Sequence, residues 1–317
     1  DNQKEPETVM WIEHKNTKKG ILVSGKNDIA VYVNFFINIM ANTLIMDICK
    51  KPIKPIHGES IVPFLPSSRT GFLLSKNFIA NKLIMNNLNK EIDSQVENNS
   101  IESGYFAKPV TKFLTLMNNL KASTMMKNID VINLIEEKLI KGQLEINEAS
   151  LNNQFVYKPK NSKAVYQMYL SSAVITEIAP LYLLLKHQNA IDCLMIEEPE
   201  MCMHPEFQYI MARVLIQISN LGIPVFATTH SELIIQHVNN MIKAKRSKEV
   251  AYSMGYKDSD FIDSDDVSIY QFQIIKDNKT DVTKLLTNEY GFDVPTFNNV
   301  LLKILKETEA LQGGNYE

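Results

Sequence analysis

Three carboxylates crowd the end of one apolar run. The segment CLMIE at 193–197 closes on Glu197 and is followed at once by Glu198, Pro199 and Glu200, then by His204 and Pro205. A second apolar run, IPVFATT at 223–229, ends on Thr228, Thr229 and then His230. Carboxylates at a strand end can hold a magnesium ion, directly or through water, and can orient an attacking water. A histidine at the neighbouring strand tip can donate to a phosphate oxygen. Together these residue types point to phosphoryl transfer.

Such chemistry needs adjacent parallel strands, because ligands collect beyond the carboxyl ends of an open parallel sheet. Between the two runs, PEFQYIMARVLIQISN at 205–220 places Phe207, Ile210, Met211, Val214, Leu215 and Ile218 on one helical face. Pro205 stands in its first turn and Gly222 beyond its end. Two apolar strands joined by such a helix predict a right-handed parallel crossover in a covered sheet. A further helix is expected at ELIIQHVNNMIKA, 232–244.

Upstream, the segments VMWIEH, GILVS and IAVYV predict short strands. The run at 31–48 is interrupted by Asn34, Asn38, Asn42 and Asp47, and predicts a half-buried helix rather than a membrane span. The proline-rich passage at 50–71 is expected to be extended or looped. Residues 73–150 have mostly helical periodicity, with a polar surface loop at 89–104. The alternating segments QLEINEA, NQFVYKP and AVYQMYL predict an antiparallel meander. A buried helix, AVITEIAPLYLLLKHQ, follows with a kink expected at Pro180. A charged loop, the strand VSIYQFQII and the helix PTFNNVLLKILKETEAL complete the chain. The expected fold class is α/β, a mainly parallel sheet with a helical insertion and a small antiparallel meander.

The average composition narrows the partners. Of 317 residues 45% are hydrophobic, enough for a substantial core, and the net charge is −3 from 33 basic and 36 acidic side chains. DNA is therefore a partner that the charge does not indicate, and no membrane is implied. The three cysteines, Cys49, Cys193 and Cys202, lack CxxC spacing, which predicts a reducing, cytoplasmic setting without disulfides.

LMIEEPEMCMHPEFQ followed by PVFATTHSEL resembles the Walker B, D-loop and switch-histidine region of ABC-type ATPases, in the branch of SMC-like, RecF-like and OLD-like proteins. The resemblance implies a P-loop/ABC-type head that uses ATP and Mg2+. Glu197 would contact magnesium, usually through water, and Glu198 would be the general base. His230 would sense the γ-phosphate, with Thr229 beside it at the cofactor. Glu200, His204 and Pro205 match the turn that lies near the dimer interface in relatives. Ser171 and Ser172, in YLSSAVITE, occupy the place of the signature that faces the nucleotide of the opposite subunit; Ala173 stands there where relatives have glycine. PFLPSSRTG resembles a segment of defence-related relatives and marks Arg69 as a cofactor-binding candidate. The implied division is 1–72 as remainder of the nucleotide-binding lobe, 73–150 as helical insertion, 151–245 as ATPase core, and 246–317 as C-terminal strand and helix. The implied partners are a second copy, as a homodimer or higher oligomer, and an effector such as a nuclease in anti-phage defence or DNA repair.

GILVSGKN at 20–27 has the glycine and lysine spacing of a phosphate loop, but Asn27 replaces the required hydroxyl and ILVS favours a strand. The phosphate loop is expected upstream of Asp1, and this stretch alone is expected to bind ATP weakly or not at all. Two alternatives stand beside the ATPase. One is a metal-dependent nuclease with Glu197, Glu198, Glu200 and His204 as ligands; the other is a non-hydrolysing scaffold. His204 serves as readily for helix capping, and His14, His57, His187 and His237 show no partner pattern. The basic run KAKRSK at 243–248 is expected to be a solvated helix end, and DSDFIDSDD a solvated loop.

Overall fold

In this computed structural model GILVS forms a strand. Val9–Glu13 (β1) and Gly20–Ser24 (β2) pair antiparallel, from Val9 opposite Ser24 to Glu13 opposite Gly20, so the backbone of this segment is committed to a ladder. The structure describes residues 9–13, 20–24, 62–76, 78–79, 108–123, 129–147, 154–188, 191–275 and 279–312. The strand expected at IAVYV, the helix expected over 31–48 and the loop expected at 89–104 lie outside them. The chain divides into two units, Asp1–Ile53 and Lys54–Glu317.

The second unit is built on a three-stranded parallel sheet. Its strands are Phe64–Leu65 (β3), Leu194–Glu197 (β7) and Val225–Thr228 (β8), in the order β3-β7-β8. Proline sets the length of β3, because Pro63 and Pro66 have no amide to give a ladder. The Pro63 carbonyl still accepts from Met195 N at 2.9 Å. The proline-rich passage is thus not loop throughout: it contributes a strand and then a helix over 69–76 (α1). Two residues are too few to show a strand period, which is why the pattern concealed them.

Next come Lys108–Asn119 (α2) and Ile129–Leu134 (α3), the latter continuing as a π-helical turn at Ile135–Leu139. The expected meander follows as Gly142–Asn147 (β4), Gln154–Pro159 (β5) and Tyr166–Gln167 (β6), all antiparallel. Ala173–His187 (α4) runs through Pro180 and is buried from Ile175 to Lys186, as expected for an apolar helix inside the molecule. The crossover Pro205–Asn220 (α5) joins β7 to β8 with Pro205 at its start, and Glu232–Ala244 (α6) follows β8. Phe113 and Met117 of α2, Ile135, Leu181 of α4, Leu194 and Ile196 of β7, and Met211 and Val214 of α5 share one core. Among the described residues no helix is long and apolar enough to cross a membrane.

Beyond α6 lie Lys248–Ser253 (α7), the hairpin of Tyr270–Ile275 (β9) and Lys279–Lys284 (β10), and Pro295–Leu311 (α8). A second core joins Ile216, Ile235 and Met241 to Tyr256, Phe261 and Phe292. The acidic loop corrects the expectation of full solvation, because Asp260 is 0% exposed. Arg213 on α5 grips it with both arms, Nε to Oδ1 at 3.0 Å and Nη2 to Oδ2 at 2.7 Å, and Gln217 and the Lys257 amide complete its acceptors. Burial alone would raise this carboxyl, but the bonds from Arg213, Lys257 and Gln217 hold it below its ordinary value. Around it the basic run is paired too, Lys245 with Asp263, Arg246 with Glu289, and Lys248 with Asp258.

His237 of α6 is 2% exposed, with its ring stacked at 3.6 Å on Tyr209 and neither nitrogen hydrogen-bonded. Burial, followed by the Arg213 charge, pushes its pKa down to about 4. The unfolded imidazole titrates near pH 6.5, so between roughly pH 6.5 and 4 the unfolded state binds the extra proton and stability falls with pH. The full loss at the low end of this window is about 3 kcal/mol. Denaturation of a His237→Leu variant is expected to show a flatter dependence over that window than the wild type; identical slopes would remove His237 as the cause.

Candidate functional site

The three parallel strands bring three tips to one edge of the sheet. Ser67 follows β3, Glu197 ends β7 with Glu198 behind it, and Thr229 and His230 follow β8. Glu197 lies opposite Thr228 in register. The Ser67 amide donates to Glu197 Oε2 at 3.2 Å, and the Glu198 amide donates to the Thr228 carbonyl at 2.9 Å. The two acidic residues and the histidine tip are therefore neighbours, as the two apolar runs imply. All three carboxylates, Glu197, Glu198 and Glu200, are partly exposed, and His230 is exposed.

Glu198 breaks from the strand with φ +41°, and Cys202, at the other end of the turn, has φ +58°. A left-handed conformation at a residue with a side chain costs roughly 1–3 kcal/mol and persists only where the surroundings enforce it. The enforcement comes from Arg69. Its guanidinium is 1% exposed and donates to the carbonyls of Glu197 at 2.8 Å, Glu198 at 3.2 Å, Glu177 at 2.9 Å and Pro66 at 3.2 Å. Arg69 Nε also lies 3.0 Å from Oε2 of Glu177, itself 3% exposed on α4. Burial pushes the Glu177 carboxyl above its ordinary value, and the Arg69 charge pulls against that. Arg69 thus holds the backbone that carries the two carboxylates. Sequence reasoning singled out Arg69 but missed Glu177, which hides inside an apolar helix.

Thr229, expected beside the cofactor, donates its hydroxyl to Glu200 Oε1 at 2.9 Å. His204 takes the helix-capping role: it is the N-cap of α5, and its ring nitrogen Nδ1 accepts from the Glu206 amide. Ser172 is the N-cap of α4, its side chain accepting from the Ile175 amide, while Ser171 Oγ is shielded and has no hydrogen-bond partner. The N-terminus of a 15-residue helix is a favourable place for an anion.

The donor set bears on metals. Among the described residues no group of three or more His, Cys, Asp or Glu side chains is arranged to hold an ion. Glu197 alone, with one oxygen accepting from Ser67, suits magnesium, which keeps several waters and takes one or two carboxylates together with substrate phosphates.

The family model of the AAA ATPase domain matches residues 43–235, which include all three strand tips. The chain belongs to the AAA ATPase domain family. No curated protein matches. Among solved structures, one from work on the ATP-driven dimerization and DNA-stimulated activation of SMC ATPases is 14% identical, with a TM-score of 0.34. The match covers 57% of this chain and 90% of that one.

Proposed function

We propose that the β7 and β8 tips hydrolyse ATP as part of a nucleotide-dependent dimer. The observation that carries the reading is the pairing of Glu197 and Glu198 with the Thr228–His230 tip in a chain of the AAA ATPase domain family. Glu198, partly exposed at the strand end, accepts the proton of the attacking water while the bond from the γ-phosphorus to the β,γ-bridging oxygen breaks, giving ADP and phosphate. His230 donates to a γ-phosphate oxygen. Glu197 would hold a magnesium ion, whose charge would offset that of the phosphates. Ser171 and Ser172 present the α4 N-terminus to the nucleotide of a second copy. By resemblance, the cycle of association and release gates an effector such as a nuclease.

The reading is tested in the protein as its cell produces it. His230→Ala is expected to lower ATP turnover by about two orders of magnitude, in line with loss of one preorganised donor to the transferring group. Unchanged turnover would remove His230 from the mechanism. Phosphodiester cleavage without ATP, indifferent to His230, would favour the nuclease.

A further inference from the structure

The acidic turn and the histidine tip are not merely adjacent. Glu200 Oε1 accepts from the His230 amide at 2.7 Å as well as from Thr229 Oγ1 at 2.9 Å. Thr229 Oγ1 in turn accepts from the Ser231 amide at 2.9 Å. Ser231 Oγ caps α6 by accepting from Ile234 N at 3.2 Å, and donates to Gln208 Oε1 at 2.6 Å. Gln208 Nε2 then donates to the Met203 carbonyl at 3.0 Å, and the Met203 amide donates to the Glu200 carbonyl at 3.0 Å. The ring closes on the residue where it began.

We propose that Glu200 is the positioning residue for His230, fixing the exposed imidazole relative to Glu198 by gripping its backbone. This rests on the hydrolytic reading of the strand tips given above. The physical case has two parts. Ala227, Thr228 and His230 are all exposed, so burial contributes little at the histidine itself, and a side-chain acceptor for its amide is the restraint available there. Moreover, Glu200 uses one oxygen only. Oε1 carries both bonds while Oε2 is shielded and has no partner, so the role needs an acceptor at one place rather than a charge. A metal ligand or a general base needs the charge.

That difference makes the inference testable through substitution at one position. Glu200→Ala is expected to lower kcat by about tenfold to a hundredfold, the scale of a misplaced catalytic group, with KM for ATP little changed. Glu200→Gln keeps an oxygen at the Oε1 position and is expected to recover most of that loss. The decisive arm is a double-mutant cycle. Because Glu200 acts through His230, Glu200→Ala added to His230→Ala is expected to cost nothing further in turnover. A residue that only stabilises the fold gives costs that add, and a metal ligand is not rescued by glutamine. In parallel, the His230 ring carbon resonance, assigned by its loss in His230→Ala, is expected to shift in Glu200→Ala and to return in Glu200→Gln.

Additive costs, a Gln variant as impaired as the Ala variant, or an unmoved His230 resonance would each overturn the assignment while leaving the ATPase reading in place. Wild-type protein without His230-dependent turnover would overturn that reading, and this inference with it.

Discussion

Replacing Arg69 with alanine is expected to cost about 3–5 kcal/mol of folding stability, the usual penalty for breaking one side of a buried ion pair. The reason is the position of the pair: Arg69 and Glu177 are 1% and 3% exposed, and removal of either leaves the other charge buried without its counterpart. The Glu197 carbonyl loses the Arg69 donor in the same step, which adds its own cost, while the Glu198 carbonyl keeps the Met201 amide at 3.0 Å. Denaturant unfolding of Arg69→Ala measures the effect directly. Arg69→Met combined with Glu177→Leu, which removes both charges and restores volume, is expected to lose less than either alanine variant alone. A cost below about 1 kcal/mol for Arg69→Ala is the range of an exposed pair and would contradict the clamp.

The second large effect is expected at Glu198. Changing it to glutamine removes the proposed proton acceptor but keeps its size, and general-base catalysis contributes roughly 10²–10⁴ in rate. Turnover is expected to fall by that factor in the protein as its cell produces it, with ATP binding expected to survive because the substitution keeps the size of the side chain. The bound, unhydrolysed nucleotide is then expected to hold two copies together, so light scattering after size exclusion should show an ATP-dependent dimer for Glu198→Gln that is short-lived in the wild type. Monomer at saturating ATP in that variant would contradict the dimeric cycle.

How much of this was legible in the chain depends on the range of each interaction. The β7 and β8 strands announce themselves as apolar runs that stop on polar residues, and α5 by its face of Phe207, Ile210, Met211 and Val214. Both signals are local, and both strands and the helix lie where expected. β3 is concealed because Phe64–Leu65 is too short to show a period, and β10 because KTDVTK looks polar and is a strand only through its pairing with β9. Asp260 reads as one more acidic loop residue, since its partner Arg213 lies 47 positions away and leaves no spacing to find.

The site shows the same division. Residue type placed Glu197, Glu198 and His230 together, and the sheet register agrees. What residue type left hidden is the apparatus that holds them. Arg69 is marked as a cofactor-binding candidate by the resemblance of its segment to defence-related relatives, and its side chain points inward to four carbonyls. Glu200 looked like part of a carboxylate cluster, yet one oxygen serves the amide and hydroxyl of the neighbouring tip. Bonds to backbone groups impose no complementary side chain and so leave no mark in the sequence.

The most direct test of the central claim is the rate of phosphate release from ATP with magnesium, measured for the protein as its cell produces it beside its Glu198→Gln variant prepared identically. Steady release by the wild type, reduced at least about a hundredfold by the substitution, is the predicted result. No release by the wild type, or equal rates in the two preparations, would contradict the assignment of hydrolysis to these strand tips.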